Sequence, residues 1–401
     1  MPFSLGRSGQ YSFLEFFAGI GLSRMGLDPF GWGCVYANDI ERKKRRMYES
    51  CFGRAEHYQV EDVWNTETIV AQIPLQRADL ASASFPCVDL SLAGNLKGLN
   101  GSQSGAFYGF IKVLRSLQKT NRLPRAVLVE NVIGFMAAHG GKAFRIALKE
   151  LAKLGYYFDA FVVDAKYFVP QSRPRLFLLG FLPEIVPDGC HMVASGKFAA
   201  LQNDDLRDLR LRPERLKRIL KEEQFDTAWL PLCLPDLPPE QRTLAQVIDT
   251  GPSEEWWSTA LMSKHLDEMH ASHRGRIEKL RDSKVLTVGT IYRRVRDRKS
   301  RSEIRTDGLA GCLRTPRGGS SKQIVLVVGR GDIRMRWMSP REYARLQGCP
   351  NFPIDVERNE ALYGFGDAVC VPVISWIAKE VLSQLFPDSR RVNQSKKPAG
   401  D

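Results

Sequence analysis

Tyr11-Ser-Phe-Leu-Glu-Phe-Phe17-Ala-Gly-Ile-Gly21 is the stretch on which the fold reading turns. Its first seven residues form an apolar strand pattern interrupted only by Ser12 and Glu15, and Ala18-Gly-Ile-Gly21 follows before a helix that starts at Leu22. Strand, glycine turn and helix in succession open a nucleotide-binding α/β unit, where glycines such as Gly19 and Gly21 let the backbone approach a ligand closely. A G-x-G alone is weak evidence. The dinucleotide fingerprint also fails at its last position, where Arg24 replaces the glycine or alanine that permits tight helix packing. A cofactor other than a dinucleotide is therefore expected.

Working outward, a second strand, Cys34 to Ala37, ends in Asn38-Asp39, and an acid there commonly accepts both ribose hydroxyls of an adenosine moiety. Asp62, at the end of the next extended stretch, is placed to read an adenine amino group. Either acid alone reads more simply as a helix cap. The basic run Glu41 to Arg46 is most simply the solvated face of a helix. A short apolar run, Asp79 to Phe85, reads as a buried strand that delivers Pro86-Cys87 to the edge of a Gly- and Ser-rich segment ending at Gly105. A cysteine so placed suits a nucleophile, provided that nearby positive charge or hydrogen bonding favours its thiolate. In isolation it reads more simply as a small buried hydrophobe. A helix from Phe107 to Gln118 leads to the buried strand Ala126 to Val129, which ends in Glu130-Asn131-Val132. An acid at the carboxyl end of a parallel strand points into the ligand crevice. Gln171-Ser-Arg-Pro-Arg175 then enters the strand Leu176 to Gly180, and Arg173 and Arg175, at alternate positions of an extended segment, face one side. Their competing reading is surface charge.

At 401 residues the chain exceeds the usual single-core size, so two domains or a large insertion are expected. A net charge of +13 favours a polyanionic partner over a merely soluble basic surface. Eight cysteines without a C-x-x-C pair suggest neither a zinc ribbon nor a disulfide framework, which fits a reducing cytoplasm. No signal segment is read, and no apolar run is expected to approach membrane-spanning length. From about Pro187 the strand-helix alternation stops. His265, His270 and His273 match no common ligand spacing and read as exposed helix residues, so no metal is expected. Between Val285 and Val328 the chain turns β-like and strongly basic. Arg293, Arg294, Arg296 and Arg298, then Arg314, Arg317 and Lys322 around a Gly/Ser loop, suit close approach to phosphates and base edges. A solvated surface hairpin is the weaker alternative. Ser339-Pro340-Arg-Glu342 carries the signals of a capped helix start. Gly364-Phe-Gly-Asp367-Ala-Val369 reads as a glycine turn before an apolar-periodic helix to Leu385.

Taken together and in this order, these motifs resemble the DNA (cytosine-5)-methyltransferases of prokaryotic or phage type. Phe17 to Gly21 resembles that family's cofactor motif, Pro86-Cys87 its nucleophile motif, Glu130-Asn131-Val132 its acid motif and Gln171-x-Arg173-x-Arg175 its arginine motif. Met338 to Gly348 and Gly364 to Val369 resemble its two C-terminal motifs. The resemblance implies an α/β fold: a Rossmann-like S-adenosylmethionine-dependent methyltransferase domain over 1–186, with a second, smaller target-recognition domain over 187–336. Residues 337–386 return to the catalytic domain, and 387–401 form a disordered tail. It further implies methyl transfer from S-adenosylmethionine to C5 of a flipped-out cytosine in a specific duplex DNA sequence, through a covalent Cys87 adduct. Glu130, Arg173 and Arg175 would complete the catalytic set. Phe17, Gly19, Gly21, Asp39, Asp62, Pro86, Asp367 and Val369 would hold the cofactor, and Ser91 would contact a DNA phosphate. A monomer is expected, with a cognate restriction endonuclease as possible partner and no membrane. Two positions depart from the pattern: Asp367 where Asn is usual, and Val88 where Gln is frequent. The alternatives are an RNA cytosine methyltransferase on the same core and a non-catalytic DNA-binding relative. The first is disfavoured by the large basic middle region, the second by the presence of Cys87, Glu130 and both arginines.

Overall fold

The structure is a computed structural model that describes residues 9–85, 105–186, 211–225, 227–251, 254–296, 299–316 and 321–387. Pro86, Cys87, Val88, Ser91, Arg298, Arg317 and the tail from residue 388 lie outside the described residues. The first half alternates strand and helix: β1 (Tyr11–Phe16), α1 (Leu22–Leu27), β2 (Trp32–Asp39), α2 (Arg42–Phe52), β3 (Tyr58–Val60), α3 (Thr66–Gln72), β4 (Leu80–Ala83), α4 (Ala106–Lys119), β5 (Ala126–Val132), α5 (Gly134–Ala137), α6 (Lys142–Lys153), β6 (Tyr157–Asp164) and β7 (Pro174–Phe181). Next come α7 (Glu214–Leu220), α8 (Leu244–Val247), α9 (Thr259–Asp267), α10 (Ala271–Arg281), β8 (Thr287–Arg296), β9 (Lys299–Arg305), β10 (Ile324–Gly329) and β11 (Asp332–Trp337). The last helices are α11 (Pro340–Leu346), α12 (Arg358–Asp367) and α13 (Val371–Trp376), the last continued by further helical turns to Leu385.

The first seven strands form one sheet in the order β3-β2-β1-β4-β5-β7-β6, with β7 antiparallel to both of its neighbours. The strand order changes direction between β1 and β4, the switch point outside which such sheets bind ligands. Because β7 runs backwards, its amino end lies at the carboxyl end of β5, with Arg175 paired to Val132.

Side-chain alternation along the strands divides the core into two layers. In β5, Ala126 and Leu128 join one layer while Val127 and Val129 join the other. The second layer is closed by α4, whose Phe107, Phe110, Ile111, Leu114 and Leu117 fall on one helical stripe, and by α6. The first takes its cover from the far end of the chain: Leu346, Leu362, Ile374 and Leu382 pack with Phe13, Leu80 and Leu128. Gly26 allows that approach, since a Cβ there would lie 2.7 Å from Ile374. The helical run Arg358–Leu385 is long and apolar enough to cross a membrane by length and composition, contrary to the sequence expectation, but 67% of its most apolar window is buried inside the molecule.

Residues 211–232 remain on the first sheet, although the sequence character changes near 187. Phe158 of β6 pairs with Trp229, and buried Asp159 accepts hydrogen bonds from Arg212, Trp229 Nε1 and the Leu232 amide. A second, antiparallel sheet has the order β11-β10-β8-β9. Its β10 is shared between cores: Val325 and Val327 face the main one, while Ile324, Leu326 and Val328 join a smaller one with Met269, Ile277 and Ile291. His265 was expected on an exposed helix face, yet it is 4% exposed and stacked on Trp257 at 4.9 Å, because that face of α9 turns towards the second sheet. His270 instead caps α10, its ring accepting from the Ser272 amide.

Candidate active site

Two groups of residues meet at the carboxyl edge of the first sheet. The first surrounds the glycine turn after β1. Phe17, Gly19 and Gly21 all adopt positive φ (57°, 57° and 82°). At Gly21 only glycine fits, since a Cβ would meet Phe52 at 2.5 Å and Tyr48 at 2.7 Å. The turn is fastened to the end of β2: the Gly19 amide donates to Asp39 Oδ2 at 3.0 Å, and Tyr58 donates its hydroxyl proton to the Gly19 carbonyl at 3.0 Å. Asp39 is buried, and its Oδ1 accepts from the Glu41 amide at 2.9 Å. Asp62 follows β3, and its carboxylate accepts from the Trp64 amide at 3.0 Å. Beside these acids stand two large apolar side chains left in solvent, Ile40 at 63% and Trp64 at 46% exposure.

Arg24, which broke the dinucleotide fingerprint, lies with its guanidinium 4.2 Å over the Phe52 ring and donates to Tyr48 and Asp28. It packs α1 against α2 through a cation–π contact where a small residue would pack by proximity. Beneath the turn, Glu15 is 1% exposed and accepts from the Arg24 amide. Burial pushes its carboxyl up to about 8, against the lowering effect of Arg24.

The second group lies at the ends of β4 and β5 and the start of β7. Asn131 Nδ2 donates to the Phe85 carbonyl at 3.4 Å, aligning the exit of β4 with the end of β5. Arg175 Nε lies 2.9 Å from Glu130 Oε1, a contact through charge rather than an aligned hydrogen bond. Arg173 is 3% exposed, and it donates to the carbonyls of Leu313 (2.9 Å) and Ala368 (2.7 Å). Burial, followed by the neighbouring Arg175, lowers its pKa. Gln171, fully buried, donates to the Leu346 carbonyl at 2.7 Å and accepts from the Leu313 amide at 3.1 Å. Cys312 receives contacts from both arginines, Arg173 Nη1 at 3.4 Å and Arg175 Nη2 at 3.6 Å. Burial acts to raise its thiol, but Arg175 and Arg173 outweigh it and hold the pKa below the usual thiol value. Sequence reading missed Cys312, since nothing local marks a residue whose partners lie more than a hundred positions away.

The C-terminal glycines differ from expectation. Gly364 and Gly366 lie within α12, not in a turn, and each is small because another segment passes close by. A Cβ on Gly366 would be 2.6 Å from the Arg314 backbone, and one on Gly364 would be 2.9 Å from Ile20. Val369 is buried just beyond the helix, whereas the Asp367 side chain is 46% exposed and pairs with Lys44.

Arg314 is exposed, and its backbone lies against α12 beside this second group. Arg293, on β8, carries its guanidinium 5.4 Å from the Trp337 ring centre, and Lys322 sits 6.0 Å from the same ring while donating to Asn359. Arg294 and Arg296 pair in register with Arg301 and Lys299 across the β8–β9 hairpin. Among the described residues, no cluster of three or more His, Cys, Asp or Glu side chains is placed to hold a metal ion.

A doubly wound sheet with one reversed strand and a glycine turn fastened to the acid that ends β2 defines a Rossmann-like nucleotide-binding fold. Solved structures of similar fold include a Spodoptera frugiperda DNMT2 mutant, with TM-score 0.59 and 16% identity, covering 94% of this chain and 100% of that one. The S. pombe Dnmt2 methyltransferase gives TM-score 0.53 and 17% identity over the same shares. The family model for C-5 cytosine-specific DNA methylase matches residues 11–383, and the chain belongs to that family of S-adenosylmethionine-dependent enzymes. Its relatives include the type II methyltransferase M.HpaII of Haemophilus parainfluenzae, 26% identical over 94% of this chain and 90% of the relative. Another is M.HhaI of Haemophilus parahaemolyticus, 24% identical over 93% and 94%.

Proposed function

We propose that the protein methylates C5 of a cytosine flipped out of a specific duplex DNA sequence, through a covalent adduct with Cys87. The observation that carries this reading is the convergence of Glu130, Arg175 and the exit of β4 at one point of the sheet edge. Cys87 is two residues beyond Phe85 in the sequence, and two residues of chain span at most about 7 Å.

The residues of the first group suit S-adenosylmethionine. Asp39 retains acceptor capacity on each oxygen for ribose hydroxyls, Asp62 faces the adenine amino group, and Ile40 and Trp64 offer apolar surface to a base. Phe17, the glycine turn and Val369 complete the cleft, and Pro86 is assigned to it by the sequence motif alone. When bound, this group supplies an electrophilic methyl on a sulfonium.

C5 of cytosine is a poor nucleophile until the Cys87 thiolate adds at C6. The new S–C6 bond moves the ring's π electrons towards C5, N3 and O2. Glu130 delivers a proton to N3, and Arg175 holds O2, so the developing charge is neutralised in a site already organised by Arg173 and Gln171. After methylation, the C5 proton passes to solvent water, the S–C6 bond breaks with its electrons returning to sulfur, and N3 gives its proton back to Glu130, which restores the thiolate and the acid and releases 5-methylcytosine. C6 is unreachable in a stacked duplex, so the base leaves the helix at a cost of roughly a few kcal/mol.

Residues 187–336 are read as the DNA-reading region. Arg293, Arg294, Arg296, Arg298 and Lys322, with Ser91, are assigned to phosphates, and Arg314 and Arg317 to base edges, since arginine pairs bidentately with guanine. A restriction endonuclease acting on the same site is the natural partner, as the type II relatives suggest. Duplex DNA carrying 5-fluorocytosine tests the chemistry, because fluorine cannot leave as a proton. The wild type is expected to form a denaturation-resistant complex and Cys87→Ala none. Turnover by Cys87→Ala would exclude this mechanism.

A further inference from the structure

Lys44, in the first turn of α2, places its ammonium between two carboxylates, 3.4 Å from Asp367 Oδ2 and 3.7 Å from Asp39 Oδ2. The two acids reach this point from opposite ends of the chain. Asp39 ends β2 and is buried, while Asp367 closes α12. A carboxylate at a helix carboxyl terminus already faces the unpaired carbonyls of the last turn, so its negative charge is disfavoured there. A second carboxylate nearby adds to that cost. Lys44 counters both effects, and its side chain is only 21% exposed, so solvent screens the pairing less than on an open surface. Burial works against its own charge, yet Asp39 and Asp367 hold its pKa above the usual lysine value.

The distances also matter for binding. Asp39 gives one hydrogen bond site on each oxygen to a backbone amide, from Gly19 and from Glu41. Lys44 stands off beyond hydrogen-bond length from Asp39 and acts through charge, so it leaves the remaining lone pairs of Asp39 open.

We propose that Lys44 is a positioning residue of the cofactor cleft: it cross-braces Asp39 and Asp367, cancelling the charge that Asp367 would otherwise place beside Asp39, the acceptor for ribose. The inference rests on the reading that Asp39 holds the cofactor's ribose. It makes the carboxylate at 367 harmless because of Lys44, and it makes Lys44 dispensable once that carboxylate is gone.

Calorimetric titration of the full chain with S-adenosylhomocysteine tests both statements. Lys44→Met is expected to weaken binding about tenfold, and the pair Lys44→Met with Asp367→Asn to recover to within about threefold of wild type, a coupling typical of contacting charges. Asp367→Asn alone is the reference from which the coupling is computed, and Lys44→Arg should restore most of the affinity. The unliganded melting temperature of each variant is measured alongside, and it should not follow the affinities. Lys44→Gln, which keeps the chain length and polarity, substitutes if the methionine variant does not fold. If Asp39→Ala weakens binding but Lys44→Met and Lys44→Gln do not, the brace is refuted and the ribose assignment stands. A loss at Lys44 that Asp367→Asn fails to relieve also refutes it. If Asp39→Ala itself leaves affinity unchanged, the ribose assignment fails and the brace with it.

Discussion

The two halves of the cleft are built in opposite ways. The cofactor half is local: one strand, one glycine turn and the acid that ends the next strand, held by hydrogen bonds between side chains and backbone within about forty residues of sequence. The base-binding half is assembled from segments far apart in the sequence, and its arginine motif works mainly as a joint. Arg173 and Gln171 reach the backbone at Leu313, Leu346 and Ala368, while the pairing of β5 with β7 sets Arg175 against Glu130. A short motif can therefore carry most of a cofactor cradle, whereas the base-binding half draws its supporting contacts from segments far apart in the chain.

The sharpest break of this contrast is Glu130→Gln, which should lower kcat by roughly 10²- to 10⁴-fold, since a positioned proton donor acts only as charge develops on the ring. S-adenosylhomocysteine affinity should stay within about twofold, because among the described residues Glu130 is paired with Arg175 and not with the cofactor half. A comparable loss of cofactor affinity, read by calorimetry, would show that the two halves are one coupled site.

Gln171→Ala probes the joint rather than the chemistry. It leaves the Leu346 carbonyl and the Leu313 amide without their buried partner, at a cost of about 1–3 kcal/mol each. The melting temperature should fall by several degrees and turnover should fall with it, while S-adenosylhomocysteine still binds. Unchanged stability would mean that the arginine motif is not the tie between the distant segments.

The smallest effect is expected at Glu15, under the cofactor turn. Burial pushes its carboxyl from 4.5 to about 8, so between those values the folded protein holds a proton that the unfolded chain has lost. Stability therefore falls as pH rises through that window. Glu15→Gln should flatten the dependence and raise the melting temperature by a few degrees at about pH 8, with little change at about pH 5. Differential scanning calorimetry across that range decides it, and a slope that survives in the variant would place the titration elsewhere.

How much was legible follows the same division. The strand, the turn and the ends at Asp39 and Glu130 were readable because hydrophobic periodicity and glycine placement are local signals. The glycines of α12 misled: a Gly-x-Gly pattern looks like a turn, but here it marks two close crossings, by Ile20 and by the Arg314 backbone. His265 misled for a similar reason, because its burial depends on the sheet that α9 packs against.

Sequence by itself determined the α/β class, the order of motifs and the identity of the acids and arginines at the strand ends, since each follows from short-range pattern. Tertiary structure alone decided that residues 340–386 cover one face of the sheet, that Arg173 serves as a tie, and that Cys312 and Lys44 stand inside the two halves of the cleft. The physical reason is that these contacts join residues more than a hundred positions apart. Their energy comes from burying shared apolar surface and satisfying buried polar groups, quantities that exist only once the segments have met.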